Sequence, residues 1–329
     1  MFNNDRWYLF ALKLIPSPPI QRSCDCGCRW QDASLANYLK IVKSELDRID
    51  QLLERFGSLL PAPQILPPLL QALGKEDADL KRVADLISFD PALTARLLGF
   101  CNSAFFGLST RIDSVPEAVH QLGFRTVYRI VAGTVGGRLL TPSQRDADNF
   151  PGSWWKHAVL TAFAAQFVAD DIGAEPGAMF TAGLLHELGR VVLLQAFKGD
   201  YARLLEKEPG LTKSEVAERE MNAFGVTHAE TGGRLLARWQ FDAPIVSGVR
   251  FHNDPASASD ETEQRFAACV HLSDELALSA DPVNGEQVLA QAEPPISMAM
   301  LNLSPKNLSR YEGLITENMK FAEAMCQLN

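Results

Sequence analysis

The chain is short of positive charge. Its 329 residues carry 31 Lys and Arg against 40 Asp and Glu, a net charge of −9. That balance repels a phosphate backbone or an anionic bilayer and argues against non-specific nucleic-acid binding. A long apolar run is missing too. The N-terminal stretch Trp7 to Ile15 is interrupted by Lys13 and falls short of the roughly 18 residues of a membrane span. It has neither the basic leader nor the small-residue cleavage site of a secretory signal. No segment alternates apolar and polar residues with the period of a strand, and no fixed-period repeat is present. The six cysteines form no disulfide framework. Cys24, Cys26 and Cys28 alternate in a loop-like stretch with no second pair to complete a zinc site, and Cys101, Cys269 and Cys326 fall in helical patterns as small core residues. These absences predict a cytoplasmic protein that binds no nucleic acid and no membrane.

What is present is enough apolar material for a sizeable core, 47% hydrophobic with 22% charged residues, in one large domain or two ordinary ones. Residues 1–32 show no sustained period, carry Pro16, Pro18 and Pro19, and read as a disordered leader. Residues 33–58 space Leu35, Leu39, Val42, Leu46, Ile49 and Leu53 as an amphipathic helix. From residue 59 onwards helices follow one another behind short punctuation. Asp90-Pro91 is an N-cap acceptor before a proline at the first helical position. Asn102-Ser103 and Gly107 end that helix, and Gly123 ends the next. The polar stretch Pro142 to Asn149 predicts a linker between lobes at 59–149 and 150–278, with residues 279–329 a C-terminal helical extension. Thr227-His-Ala-Glu230 has the spacing of a capping box, which puts His228 in a first helical turn. The chain reads as all-α.

One stretch sets polar groups inside an apolar helix. In Thr181-Ala-Gly-Leu-Leu-His-Glu-Leu-Gly-Arg190, predicted within a single helix from Gly177 to Phe197, His186 and Glu187 straddle one edge of a buried face. Such a pair needs hydrogen bonds or a cation to satisfy it. Taken alone, it is a satisfied core histidine beside a solvated glutamate. However, His157, His186 with Glu187, His228, His252 and Asp274 fall in order on five helical elements, and imidazole with carboxylate suits zinc, iron or manganese.

That order resembles the HD superfamily of metal-dependent phosphohydrolases. The first half brings the likeness closer to one branch. Phe89-Asp-Pro-Ala-Leu93, Leu97-Leu-Gly-Phe-Cys-Asn-Ser-Ala-Phe-Phe-Gly107 and Ile112 to Gly123 are similar to the N-terminal segment of the HDOD family, and Phe180 to Gly189, Phe224 to His228 and Ala237-Arg-Trp239 continue the match. The resemblance covers about Leu59 to Leu278. It implies an all-helical, two-lobed bundle with an HD-like C-terminal lobe, and a bacterial signalling output module or scaffold that acts through a protein partner. It also implies a vestigial or structural metal site at His157, His186, Glu187, His228, His252 and Asp274, holding one divalent ion (iron, manganese or zinc) or none. Three departures bear on activity. Glu187 stands where an aspartate is usual, Arg190 where many active relatives carry lysine, and Asn253 where cyclic-dinucleotide phosphodiesterases carry a second histidine. The alternative is a mononuclear phosphohydrolase acting on a phosphoester or nucleotide, with Arg190 stabilising charge. Two surfaces are candidates for docking, the cap region Asn222 to Glu230 and the apolar N-terminal segment.

Overall fold

A computed structural model describes residues 47–56, 60, 62–73, 80–140, 153–206, 211–280 and 296–326. The predicted leader with Cys24, Cys26 and Cys28, the first part of the 33–58 helix and the Pro142–Asn149 linker lie outside them. All regular structure among the described residues is helical: α1 (47–55), α2 (Leu66–Leu73), α3 (Leu80–Ser88), α4 (Pro91–Cys101), α5 (Val115–Leu140), α6 (Ser153–Ile172), α7 (Pro176–Leu185), α8 (Leu188–Phe197), α9 (Gly199–Leu205), α10 (Lys213–Phe224), α11 (His228–Arg238), α12 (Ala243–Arg250), a 3₁₀ turn at Pro255–Ser257, α13 (Glu261–Ala280), α14 (Ile296–Met300) and α15 (Pro305–Cys326).

The punctuation in the sequence does what its chemistry dictates. Asp90 accepts from the N–H groups of Ala92 and Leu93 and starts α4, because its short carboxylate reaches two donors that the first helical turn leaves without partners. Asn102 stops α4. Its side chain bonds the Leu98 and Ile112 carbonyls and receives the Ile112 N–H, which ties the following loop to the helix end. Gly123, at φ 78°, kinks α5 into two helical segments.

The apolar faces merge into one core running from Ile49 to Met325. α6 lies at its centre, with Phe163, Ala164 and Val168 fully buried, and packs against α7, α13 and α15. The approach of α7 to α6 requires a glycine. A Cβ at Gly183 would lie 2.8 Å from the Thr161 carbonyl oxygen, so the two backbones touch only because that position has no side chain. The C-terminal helix α15 is pinned to the end of α6 by Asp171, which accepts from Arg310, Tyr311 and Asn307. Further along, Phe321 meets Phe100, Phe105, Phe106 and Phe163 at ring-centroid distances of 5.3–6.1 Å. The apolar N-terminal segment proposed for docking is thus partly covered by the chain's own last helix.

Two local expectations are corrected. The helix expected from Gly177 to Phe197 is broken at His186 and Glu187 into α7 and α8. The pair Thr227 and Glu230 is half a capping box. Thr227 Oγ1 accepts from the Glu230 N–H, but the Glu230 carboxylate turns outward to Arg234 and Arg250. A complete capping box stands at Thr212 and Glu215, heading α10. The stretch Pro176–Phe197 is long and apolar enough to cross a membrane by composition, yet 89% of its most apolar window is buried inside the fold.

Candidate functional site

The helix break places His186 and Glu187 at the junction of α7 and α8, and four other elements deliver side chains to the same point. α6 brings His157, α11 brings His228 at its first residue, the turn after α12 brings His252, and α13 brings Asp274. His157 Nε2 lies 2.9 Å from Asp274 Oδ1, and His186 Nε2 lies 3.8 Å from the same oxygen and 3.6 Å from Glu187 Oε1. His228 Nε2 is 3.9 Å from Glu187 Oε2 and 3.4 Å from His252 Nε2. All six residues expected at the site converge, and five of them form two overlapping groups beside His228. Ligand atoms of His157, His186 and Asp274 lie within 4.8 Å of one another, as do those of His186, Glu187 and His252.

The imidazoles are oriented from behind. His186 Nδ1 donates to the Gly183 carbonyl at 2.7 Å and His252 Nδ1 to that of Val249 at 2.7 Å. His228 Nδ1 donates to the Glu220 carboxylate at 2.8 Å. Each ring is left with Nε2 aimed inward, the arrangement that fixes the tautomer of a ligating histidine. His186 Nε2 is buried and has no hydrogen-bond partner. A buried lone pair without a donor is costly, and a cation is what would satisfy it. The donor set therefore suits a metal on the side of His157, His186 and Asp274. Protein charge flanks both sides, because Lys213 pairs with Asp274 and the Arg190 guanidinium pairs with Glu187 and packs over the Trp154 ring at 5.5 Å.

Glu220, Lys213 and His271 escaped sequence reasoning, and Asn253 was noted there only for what it replaces. Glu220, fully buried, accepts the backbone N–H and the ring N–H of His228 and also the Tyr201 hydroxyl at 2.6 Å. Lys213 reaches Asp274 Oδ2 at 2.7 Å and Glu275 at 2.8 Å. Asn253 Nδ2 is 3.1 Å from His228 Nε2, and His271 Nδ1 donates to the His252 carbonyl at 2.7 Å. Glu220 and Lys213 lie on a helix whose other charges are mostly exposed, so spacing alone does not single them out.

Electrostatics separates the groups. Burial holds the His186 imidazole below its ordinary range, and burial with the neighbouring His186 and His228 holds His252 lower still. For His228 burial acts in the same sense, but Glu220 more than offsets it and the ring titrates above its usual range. Burial opposes charge on the carboxylates as well. Arg190 nevertheless keeps Glu187 ionised, and Lys213 with His157 keeps Asp274 ionised, both well below the usual carboxylate range.

A helical bundle whose centre gathers imidazoles and carboxylates from five elements is a fold of the HD type. The HDOD domain matches residues 59–255, and the chain belongs to that family. An uncharacterised protein of Treponema pallidum is 30% identical over 228 residues, which are 68% of this chain and 41% of that protein. The chain thus spans about two fifths of that relative. Among solved structures, a protein of Marinobacter aquaeolei named provisionally for signal transduction superposes with a TM-score of 0.70 at 22% identity, over 87% of this chain and 66% of that one. One of Shewanella amazonensis named provisionally as a phosphohydrolase gives 0.62 at 24%, over 84% and 97%. At these identities the likeness to both is one of fold.

Proposed function

We propose that the chain is a bacterial signal-transduction output module, working in the cytoplasm through contact with a signalling protein, in which the HD-type cluster serves the fold rather than turnover. The observation that carries this reading is the closure of the cluster. His186 and His252 are 0% exposed, His228 1% and Asp274 4%, and the most open member, His157, has a side chain only 14% exposed, which leaves a phosphoester no direct approach to the ring nitrogens of His186, His228 and His252. Two surface cavities among the described residues, at Lys81, Leu86 and Phe89 and at Arg48, Phe197 and Phe224, lie away from the cluster. His157, His186 and Asp274 would hold one divalent ion, which would cross-link α6, the α7–α8 junction and α13 and, in a hydrolase, would polarise a phosphoester oxygen. Arg190 takes the remaining charge of Glu187.

A second reading, a mononuclear phosphohydrolase, draws on the buried guanidinium of Arg190 beside three inward imidazoles, a set able to neutralise a phosphoryl group if the cluster opened. One experiment decides between them. Protein purified without chelator is assayed for bound metal and screened against phosphodiesters and nucleotides, beside His186→Ala. The signalling reading expects at most one metal per chain and no His186-dependent turnover; metal-dependent hydrolysis abolished in a folded His186→Ala overturns it.

A further inference from the structure

Helix α1 is held on the C-terminal half of the chain by contacts nearly two hundred residues away in sequence. Ile49 and Leu53 are buried in the common core, at 0% and 3% exposure. Asp50 accepts from Arg234 at 3.2 Å and from Arg238 at 3.0 Å, both on α11. Arg48 donates to the Phe224 carbonyl at 3.1 Å, at the end of α10, and lies against Gly225, the left-handed residue that ends α10 at φ 69°. α1 therefore grips both arms of the α10–α11 corner, and that corner carries His228 with its buried partner Glu220.

The grip continues inward without a soft link. Arg234 also donates to Glu230 at 3.1 Å, and Glu230 takes Arg250 of α12, two residues before His252. Glycines let the backbones touch along the same line. A Cβ at Gly233 would lie 2.6 Å from Arg250 Cβ, and one at Gly189, on α8, 1.9 Å from the His228 carbonyl oxygen. Packed backbones of this kind move as bodies, so a shift of α11 moves His228 relative to Glu187.

We infer that α1 is a displaceable clasp that sets the position of His228 in the polar cluster. The inference rests on the signalling reading, for which it supplies the route of input. The Asp50 pairs are partly exposed and individually weak, which suits a contact that can open and reclose.

The test uses the full chain. Asp50→Arg opposes Arg234 and Arg238, and Arg238→Glu added to it restores one pair, since Arg238 bonds Asp50 and not Glu230. Hydrogen exchange followed by mass spectrometry should show about fivefold faster exchange across residues 218–239 in Asp50→Arg, recovered in the double variant. The histidine ring-nitrogen resonances should show His228 displaced and His157 unmoved. Asp50→Asn should give the same pattern at smaller amplitude, and it serves if the reversal lowers yield. Faster exchange confined to residues 47–56, with His228 unmoved, overturns the clasp. Neither readout involves partner capture or turnover. Detection of hydrolysis would thus remove the signalling reading while leaving the clasp to be judged by exchange alone.

Discussion

Gly189 of α8 runs so closely against the first turn of α11 that a Cβ on it would stand 1.9 Å from the carbonyl oxygen of His228. The obstacle is backbone, which cannot rotate aside. Gly189→Ala should therefore destabilise by about 3 kcal/mol, at the severe end of overpacking, and should shift the His228 resonances. Gly313→Ala, at an exposed helical position with nothing within 4 Å, should instead stabilise by about 0.5–1 kcal/mol through helix propensity. Chemical denaturation of the two variants checks both signs.

Glu220 is the support on which His228 turns. Glu220→Gln keeps the shape but removes the charge that holds the His228 proton, and should cost about 2 kcal/mol, in the range for buried hydrogen bonds to charged groups. Tyr201→Phe removes one donor from the same carboxylate and should cost about 1 kcal/mol. Because the two share a partner, the double variant should lose less than the sum. Additive losses would show that the triad is not a unit.

The pH dependence has two signs. His186 and His252, with Glu187 and Asp274, have folded values below their ordinary ones. Each therefore stabilises above its unfolded pKa and loses that contribution as pH falls. The imidazoles begin the loss near pH about 6.5 and the carboxylates near about 4. Asp171, held at about 2 chiefly by Arg310, adds to the acid side. His228 is raised, so its contribution is present below about 6.5 and lost as pH rises through the folded value. In EDTA the Tm should fall between pH 7 and pH 5, and His252→Asn should flatten that slope. A slope unchanged by His252→Asn would mean that this imidazole is not held neutral in the fold.

The lobes predicted at 59–149 and 150–278 should melt together. Phe321 joins Phe100 of the first to Phe163 of the second, and the apolar core is continuous from Ile49 to Met325. Calorimetry should give one transition whose calorimetric and van't Hoff enthalpies agree. Two resolved peaks would assign each lobe its own stability.

Most of the helices were legible because local chemistry settled them. Asp90-Pro91 and Thr227 each start a helix by capping whatever packs above. The break at His186 was not legible, since the apolar pattern of Ala182, Leu184, Leu188 and Val191 continues across it and nothing in the intervening residues forbids helix. Glu230 was misread for a related reason. A glutamate at the third helical position can return to the cap or turn outward, and here Arg234 on its own helix and Arg250 from α12 offer stronger partners than an N–H. The six positions that converge were singled out because their residue types recur in a known order. Glu220 and Lys213 were not, because a buried charge and a solvated one have the same letter until the tertiary structure closes over them.

The break between α7 and α8 has a consequence in the alignment of peptide dipoles. A continuous helix would have carried the His186 and Glu187 peptides in mid-run, where dipoles on either side cancel. As it is, α7 ends at Leu185, and its partial negative pole points at His186. α8 begins at Leu188, and its partial positive pole points at Glu187. Positive charge is favoured at the first and negative charge at the second, each by about 0.3–1 kcal/mol. The backbone thus biases this adjacent pair in opposite directions over the space of one peptide bond, before any other side chain of the cluster is counted.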